Sequence, residues 1–337
     1  MRLYPIAEHA FKRVRAARRR QGVSLRGRMA GVTDPRWPTA AAWLAAGPPA
    51  TRVDLAVLGV PTWRTSLSAT GANATPAAVR AELARYSTYA ASLGIDLADR
   101  LTAADLGDVE DPDAGEDAAA DAVAAAAARA RLTVVLGGDN AATVPAVRGA
   151  RAGGLVTLDA HHDLRDGRSN GSPVRRLLDG GLAGHAVAQV GIADWANSAE
   201  YAADARAAGI TVVTRAEVAE RGVADCVRGA LAVAARGGPI HVDLDVDVCD
   251  RAVAPACPAS RPGGLSAAEL LAAARIAGAD PRVVSVDLTE VDATRDTPDR
   301  RTVRLVALAV LELAAGLATR PPDPGPGRAG GRPPEED

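Results

Sequence analysis

Cysteine is scarce: Cys226, Cys249 and Cys257 form no CxxC pair, and an odd number cannot close into a disulfide framework. Thiolate metal chemistry and a stapled secreted fold are thereby set aside, and a reducing cytoplasm is the expected setting. No apolar run reaches the about 18 residues that a membrane span requires. The N-terminal arginines lead into no apolar segment either, so neither a span nor a signal peptide is expected. An excess of charge is also missing, with 39 Lys and Arg against 41 Asp and Glu and a net charge of -2. Attraction to nucleic acid or anionic lipid needs a basic surplus, so the expected partner is a small molecule.

What is present is enough apolar matter for one large core: 48% of the 337 residues are hydrophobic and 24% charged. Residues 1–50 differ from the rest, carrying a basic cluster (Lys12, Arg13, Arg15, Arg18, Arg19, Arg20) and a stretch punctuated by Pro35, Pro38, Pro48 and Pro49. They are read as an extension ahead of the domain, the cluster being a solvated helix face or the product of a misassigned start with Met29 as the alternative, in preference to a nucleic-acid-binding arm. Residues 319–337, Pro- and Gly-rich from Pro321 onward, are read as a disordered tail. Between them, over 51–318, short apolar runs alternate with alanine-rich helical stretches. The fold class expected is α/β, a doubly wound, mostly parallel sheet flanked by helices on both faces. Strands are expected near 54–60, 132–137, 154–159, 187–192, 211–213, 240–247 and 283–288. Thr75 before Pro76 reads as an N-cap, and Ser266 with Glu269 as a capping box.

In such sheets ligands bind beyond the carboxyl ends of the strands. Four of those ends are polar: GGDN at 137–140, DAHHD at 159–163, DLDVD at 243–247 and DLTE at 287–290. Extended residues alternate faces, so Asp243, Asp245 and Asp247 are expected on one side, as are Asp159, His161 and Asp163. Buried unpaired carboxylates cost several kcal/mol each, so a cation is expected among them. Oxygen ligands with an imidazole suit manganese-like ions better than structural zinc. Asp159, Asp163, Asp245 and Asp247 would neutralise two divalent ions, and two ions about 3.5–4 Å apart can share a water and lower its pKa, so hydrolysis is expected.

These motifs resemble those of the ureohydrolases, the family of arginase, agmatinase and formimidoylglutamase, from about residue 54 to 316. GGDN stands where the family has GGDHS, DAHHD matches DAHxD, and Asp243 through Gly264 match SxDxDxxD with a proline-containing loop and GG. The resemblance implies an arginase-like three-layer domain, a binuclear manganese site and a homo-oligomer. It implies that Asp159 and Asp245 bridge the ions, that Asp163 and Asn140 complete one shell and that His161 and Asp247 complete the other. Two departures are visible. Asn140 replaces a histidine ligand, which predicts a weaker first site and a need for added metal, and Asn170 stands where many members carry a proton-shuttling histidine.

Glu290 aligns with the acidic residue that faces the substrate's planar cation, where two parallel hydrogen bonds are expected. Formimidoylglutamase-like members carry DAHxDLR, matched here by Arg165, and a small-residue loop like SNGSP. Arg165 and Arg64 are therefore expected at the rim as partners for substrate carboxylates, Arg165 alternatively neutralising the aspartates. Hydrolysis of N-formimidoyl-L-glutamate to glutamate and formamide, a step in histidine breakdown, is the leading expectation. A guanidine hydrolase releasing urea, a metal-binding protein without turnover and a single-zinc deacetylase of related fold are the alternatives.

Overall fold

The computed structural model describes residues 34, 36–46 and 52–321. The basic cluster, Met29 and most of the tail lie outside the described residues. Asp34 and Arg36 to Pro38 belong to a separate unit, in which Asp34 accepts hydrogen bonds from the backbone of Arg36 and Trp37. The described residues from Thr39 onward form one compact unit.

Eight parallel strands make the central sheet: β1 (Val53–Val60), β4 (Ala103–Asp108), β5 (Ala130–Gly137), β6 (Gly154–Leu158), β7 (Val187–Ile192), β8 (Thr211–Thr214), β9 (Ile240–Asp245) and β10 (Val283–Thr289). A short antiparallel pair, β2 (Tyr89–Ala90) and β3 (Ile95–Asp96), lies between β1 and β4 in sequence. The order across the sheet is β4-β1-β5-β10-β9-β6-β7-β8, and every pairing in it is parallel. The doubly wound α/β expectation therefore holds. Alternating side chains pack on opposite faces. Leu132, Val134, Val242, Leu244 and Val286 join the main core beneath the helices Val223–Ala234, Ala267–Ala279 and Arg301–Leu317. Leu155 and Val187 pack on the other face with Val144, Val147 and Leu177.

Local chemistry explains several boundaries and corrects others. Ser266 and Glu269 form a reciprocal capping box, as the spacing predicts. Thr75 is not a cap: it is already helical, and its hydroxyl donates to the Val291 carbonyl, tying the helix Thr75–Leu83 to the end of β10. β4 escapes a reading by apolar runs because its AADLGD is an edge strand of alanine, aspartate and glycine, poor strand formers. β9 stops at Asp245, where a 3-10 turn over Val246–Val248 begins. Within the stretch read as an extension, the helix Ala40–Ala46 buries Ala40 and Leu44 in the main core, and Trp43 Nε1 donates to the Leu101 carbonyl. At the far end, Arg320 is buried and donates to the Gly278 carbonyl, so the chain is held to that point. No helix among the described residues is long and apolar enough to cross a membrane.

The helices Ala267–Ala279 and Arg301–Leu317 cross through glycine. A Cβ at Gly278 would lie 2.2 Å from the Leu313 carbonyl oxygen, and one at Gly316 would lie 2.2 Å from that of Arg275. Both obstacles are backbone, so the helices must separate to admit a methyl group. Gly278→Ala is expected to cost about 1–3 kcal/mol in urea unfolding, the usual range for overpacking; unchanged stability would show that the crossing is looser than this.

Asp292 fastens the segment after β10. It accepts from Gly71 N at 2.8 Å and Thr294 N at 3.0 Å. Burial alone would raise its carboxyl, but these bonds and the charge of Arg295 hold it below its ordinary value. A carboxyl depressed in the folded state contributes stability above its unfolded pKa near 4 and loses it as pH falls through the folded value. Asp292→Asn is accordingly expected to cost about 1–3 kcal/mol at pH 7, with the gap from the parent closing below about pH 4; a gap independent of pH would contradict the assignment.

Candidate active site

The four polar strand ends lie on four adjacent strands, β5, β10, β9 and β6, at the centre of the sheet. Leu288 pairs with Leu136 and with Leu244, and Leu244 pairs with Leu158. The next residues in each strand therefore emerge together at one edge, which is how motifs far apart in sequence form one site.

Asp159 follows β6 directly, and its Oδ1 accepts from His161 N at 2.7 Å. This tight turn, rather than strand alternation, returns His161 to the cluster, with Nδ1 3.3 Å from Asp159 Oδ1 and 3.1 Å from Asp247 Oδ2. Asp247 also arrives by a turn, because Asp245 caps the 3-10 segment and accepts from Asp247 N at 2.8 Å. Asp163 has φ of 55° and Glu290 has φ of 62°, left-handed conformations unusual for such residues and often found where geometry is imposed for function. Two groups of potential ligand atoms result: Asp159 with His161 and Asp247, and Asp159 with Asp163 and Asp245, each set within 4.8 Å. Asp159 belongs to both. Asp245 belongs only to the second.

All these carboxylates are buried, and their electrostatics show the strain of that crowding. Burial first, then the charge of Asp247, raises Asp159 to about 6. Asp163 and Asp245 are pushed well above the ordinary carboxyl range by burial and by each site's neighbouring carboxylates. Burial would lower His161, yet Asp247 and Asp159 drive it up to about 12, while His161 in turn holds Asp247 down. Asp159 Oδ2 is buried without any hydrogen-bond partner. Burial and mutual repulsion are the common causes for the raised carboxyls. Hard oxygen donors in two groups that share one carboxylate fit a pair of divalent cations.

Asn140 is fully buried beside this cluster, but its amide is already engaged. Nδ2 donates to Asp163 Oδ2 at 2.6 Å, and Oδ1 accepts from Thr143 and Thr289 at 2.6 and 3.0 Å. Its oxygen can face an ion beside Asp163 only if the amide turns over, which the two hydroxyls permit because each can accept as well as donate. Glu290 is similarly committed on one side: Oε1 accepts from Asn140 N at 2.8 Å and from Asn170 Nδ2 at 2.6 Å. Only Oε2 is left for a ligand among the described residues, so the two parallel hydrogen bonds expected from sequence reduce to one. Burial, then Asp139 and Asp247, raise this carboxyl to about 8.

A cavity of about 590 Å³ opens above the cluster, lined by His161, Asp163, Asp245, Asp247 and Glu290 at its floor and by Arg165 and Asn170. Arg165 makes no ion pair with any aspartate among the described residues, against its alternative reading as their neutraliser. Arg64 is a correction. Leu67 and Ser68 of its loop line the cavity, but Arg64 itself does not: its Nη1 pairs with Asp111 at 2.8 Å, and it lines a different hollow with Asp113. Sequence reasoning assigned no role to Arg261, Trp195 or Tyr201, which also line the cavity. Arg261 lies well beyond the motif that ends β9, Trp195 follows β7, and Tyr201 is in the helix Ala199–Ala207.

Comparison with known proteins agrees with this geometry. The Arginase family model matches residues 53–316. A formimidoylglutamase from Halalkalibacterium halodurans is 34% identical over 282 residues, covering 79% of this chain and 88% of that one. The crystal structure of formimidoylglutamase from Bacillus subtilis superposes with a TM-score of 0.81 at 30% identity, covering 88% of this chain and 98% of the other. That of Trypanosoma cruzi formiminoglutamase with Mn2+2 gives a TM-score of 0.77 at 25% identity, covering 85% and 100%. With its eight-stranded sheet, its paired acidic groups and these similarities, the chain belongs to the arginase family.

Proposed function

We propose that the protein hydrolyses N-formimidoyl-L-glutamate to L-glutamate and formamide, with two manganese ions held by Asp159, His161, Asp163, Asp245 and Asp247. The observation that carries this reading is the polarity of the cavity: a buried acidic floor, and above it the guanidinium of Arg165, which has no carboxylate partner among the described residues. An amidinium seeks the first and a substrate carboxylate the second. The names of the similar proteins from Halalkalibacterium halodurans and Bacillus subtilis support the same substrate. Agmatine, cationic at both ends, would meet repulsion at Arg165.

Two divalent cations in this cluster would supply Lewis-acid polarisation and a water of lowered pKa. The chain's own residues do the positioning. Glu290 Oε2 accepts an N–H of the amidine, and its orientation is set by Asn140 N and Asn170 Nδ2 on Oε1. Asn170 is itself fixed by Leu67 N, which donates to Oδ1 at 2.9 Å. An amide carries no exchangeable charge near neutrality, so Asn170 orients Glu290 and shuttles no proton. In the overall reaction the oxygen of water adds to the formimidoyl carbon, the bond to the glutamate nitrogen breaks, and that nitrogen takes a proton.

The test is a panel of formimidoylglutamate, agmatine, 4-guanidinobutyrate and arginine offered to the manganese-loaded protein. Formamide and glutamate are expected from the first alone, with activity lost on chelation and regained with MnCl2; urea from a guanidine and nothing from formimidoylglutamate would reject the proposal. Glu290→Gln keeps the shape and removes the charge. It is expected to lower kcat/KM by about ten- to a hundredfold, the worth of one charge-assisted hydrogen bond, and parental kinetics would remove Glu290 from the substrate.

A further inference from the structure

We propose that Arg261 is the second carboxylate-binding residue of the cavity, so that Arg165 and Arg261 each hold one carboxylate of a dicarboxylic substrate; this rests on the formimidoylglutamate reading above. The two arginines enter the same cavity from different loops, Arg165 after β6 and Arg261 after β9. Nearby arginines are neutralised by protein: Arg168 and Arg176 by Glu116, and Arg175 by Asp204. Arg165 and Arg261 have no carboxylate within ion-pair distance among the described residues. Among the described residues the Arg261 guanidinium donates only to the Trp195 carbonyl, at 3.3 Å, which leaves most of its five N–H donors for a ligand.

The backbone that carries Arg261 is firmly placed. Its carbonyl accepts from Arg251 N at 2.9 Å, Asp250 Oδ2 accepts from Gly263 N at 2.7 Å, and Asp250 N donates to the Leu265 carbonyl. Gly264 lies so close under this strap that a Cβ would come within 2.4 Å of the Cys249 carbonyl carbon. On the other wall, Gly171 packs on the Arg165 stem, where a Cβ would meet Cδ at 2.8 Å, and Arg165 N donates to the Gly171 carbonyl. Two cations on constrained backbones thus stand over an acidic floor. A ligand with one amidinium and two carboxylates matches that distribution of charge, and a planar guanidinium binds a carboxylate through two parallel hydrogen bonds. A monocarboxylic amidine would leave one arginine unmatched, so the pair also accounts for selectivity between the two.

The experiment uses the full-length, manganese-loaded protein with N-formimidoyl-L-glutamate and two analogues that each lack one carboxylate, N-formimidoyl-L-glutamine and N-formimidoyl-4-aminobutyrate. Arg261→Ala is expected to raise KM for the parent substrate about ten- to a hundredfold, as expected for one lost charge-assisted contact, with a much smaller effect on kcat. It should be nearly silent towards one analogue, the one missing the carboxylate that Arg261 holds, and Arg165→Ala should be nearly silent towards the other. Arg261→Lys should recover part of the loss, whereas Arg261→Gln, which can still donate to the Trp195 carbonyl, should not. An unchanged KM in Arg261→Ala overturns the proposal. So does an equal loss on all three substrates, which would make Arg261 merely a tether for the Trp195 loop. If the parental protein releases no formamide from formimidoylglutamate, the functional reading and this inference fall together; if it does and Arg261→Ala behaves as the parent, only the inference falls.

Discussion

A surplus of buried negative charge at the carboxyl edge of four adjacent strands is the constraint on which the rest of the structure depends. Asp163, Asp245, Asp247 and Glu290 line one cleft with Asp159 beside them, all of them buried, and the imidazole of His161 is the one basic side chain within ion-pair distance of these carboxylates among the described residues. One positive charge cannot offset five acids in a low-dielectric setting. Repulsion of this size persists in a folded protein only when ligands relieve it, and the same arrangement that demands cations also places them against a cleft wide enough for a small amidine. Binding and chemistry follow from one electrostatic imbalance.

The polar character extends beneath the site. From Asp163 a chain of contacts runs through Asn140 and Thr289 to Asp243, whose carboxyl is pushed well above its ordinary range by burial and by Asp287 beside it. His241 continues it, with Nε2 3.3 Å from Asp287 Oδ1 and Nδ1 2.7 Å from Ser285 Oγ. His241, Asp243, Ser285, Asp287 and Thr289 are all buried at alternate positions of β9 and β10, where an apolar layer would be the default. The seam is only partly bonded, since His241 Nε2 and both oxygens of Asp287 are buried without a hydrogen-bond partner among the described residues. It explains why Asp243, though acidic and in step with Asp245, stands outside both ligand groups: its place is one layer down.

Much of this was legible in residue order alone. The alternation of apolar runs with helical stretches identifies a parallel sheet, and polar residues at run ends mark its functional edge, because burial on both faces makes any other position for them costly. What misled was the assumption of continued extension. Asp247 and His161 reach the cluster through turns that Asp245 and Asp159 cap with their own carboxylates, a competition between side chain and strand that periodicity does not register. β4 was illegible for another reason, since an edge strand of small and acidic residues carries no apolar signal.

The sequence by itself determined the fold class, the family and the identity of the acidic and imidazole groups, since these depend on local periodicity and on motifs a few residues long. Tertiary structure alone decided which distant loops share the cleft. It sent Arg64 to Asp111 and brought Arg261 and Trp195 beside Arg165. It also turned the Asn140 amide towards Asp163 and committed one oxygen of Glu290 to two donors. The physical reason is that loop paths and hydrogen-bond partners are set by packing between segments far apart in the chain, and no local pattern carries that information.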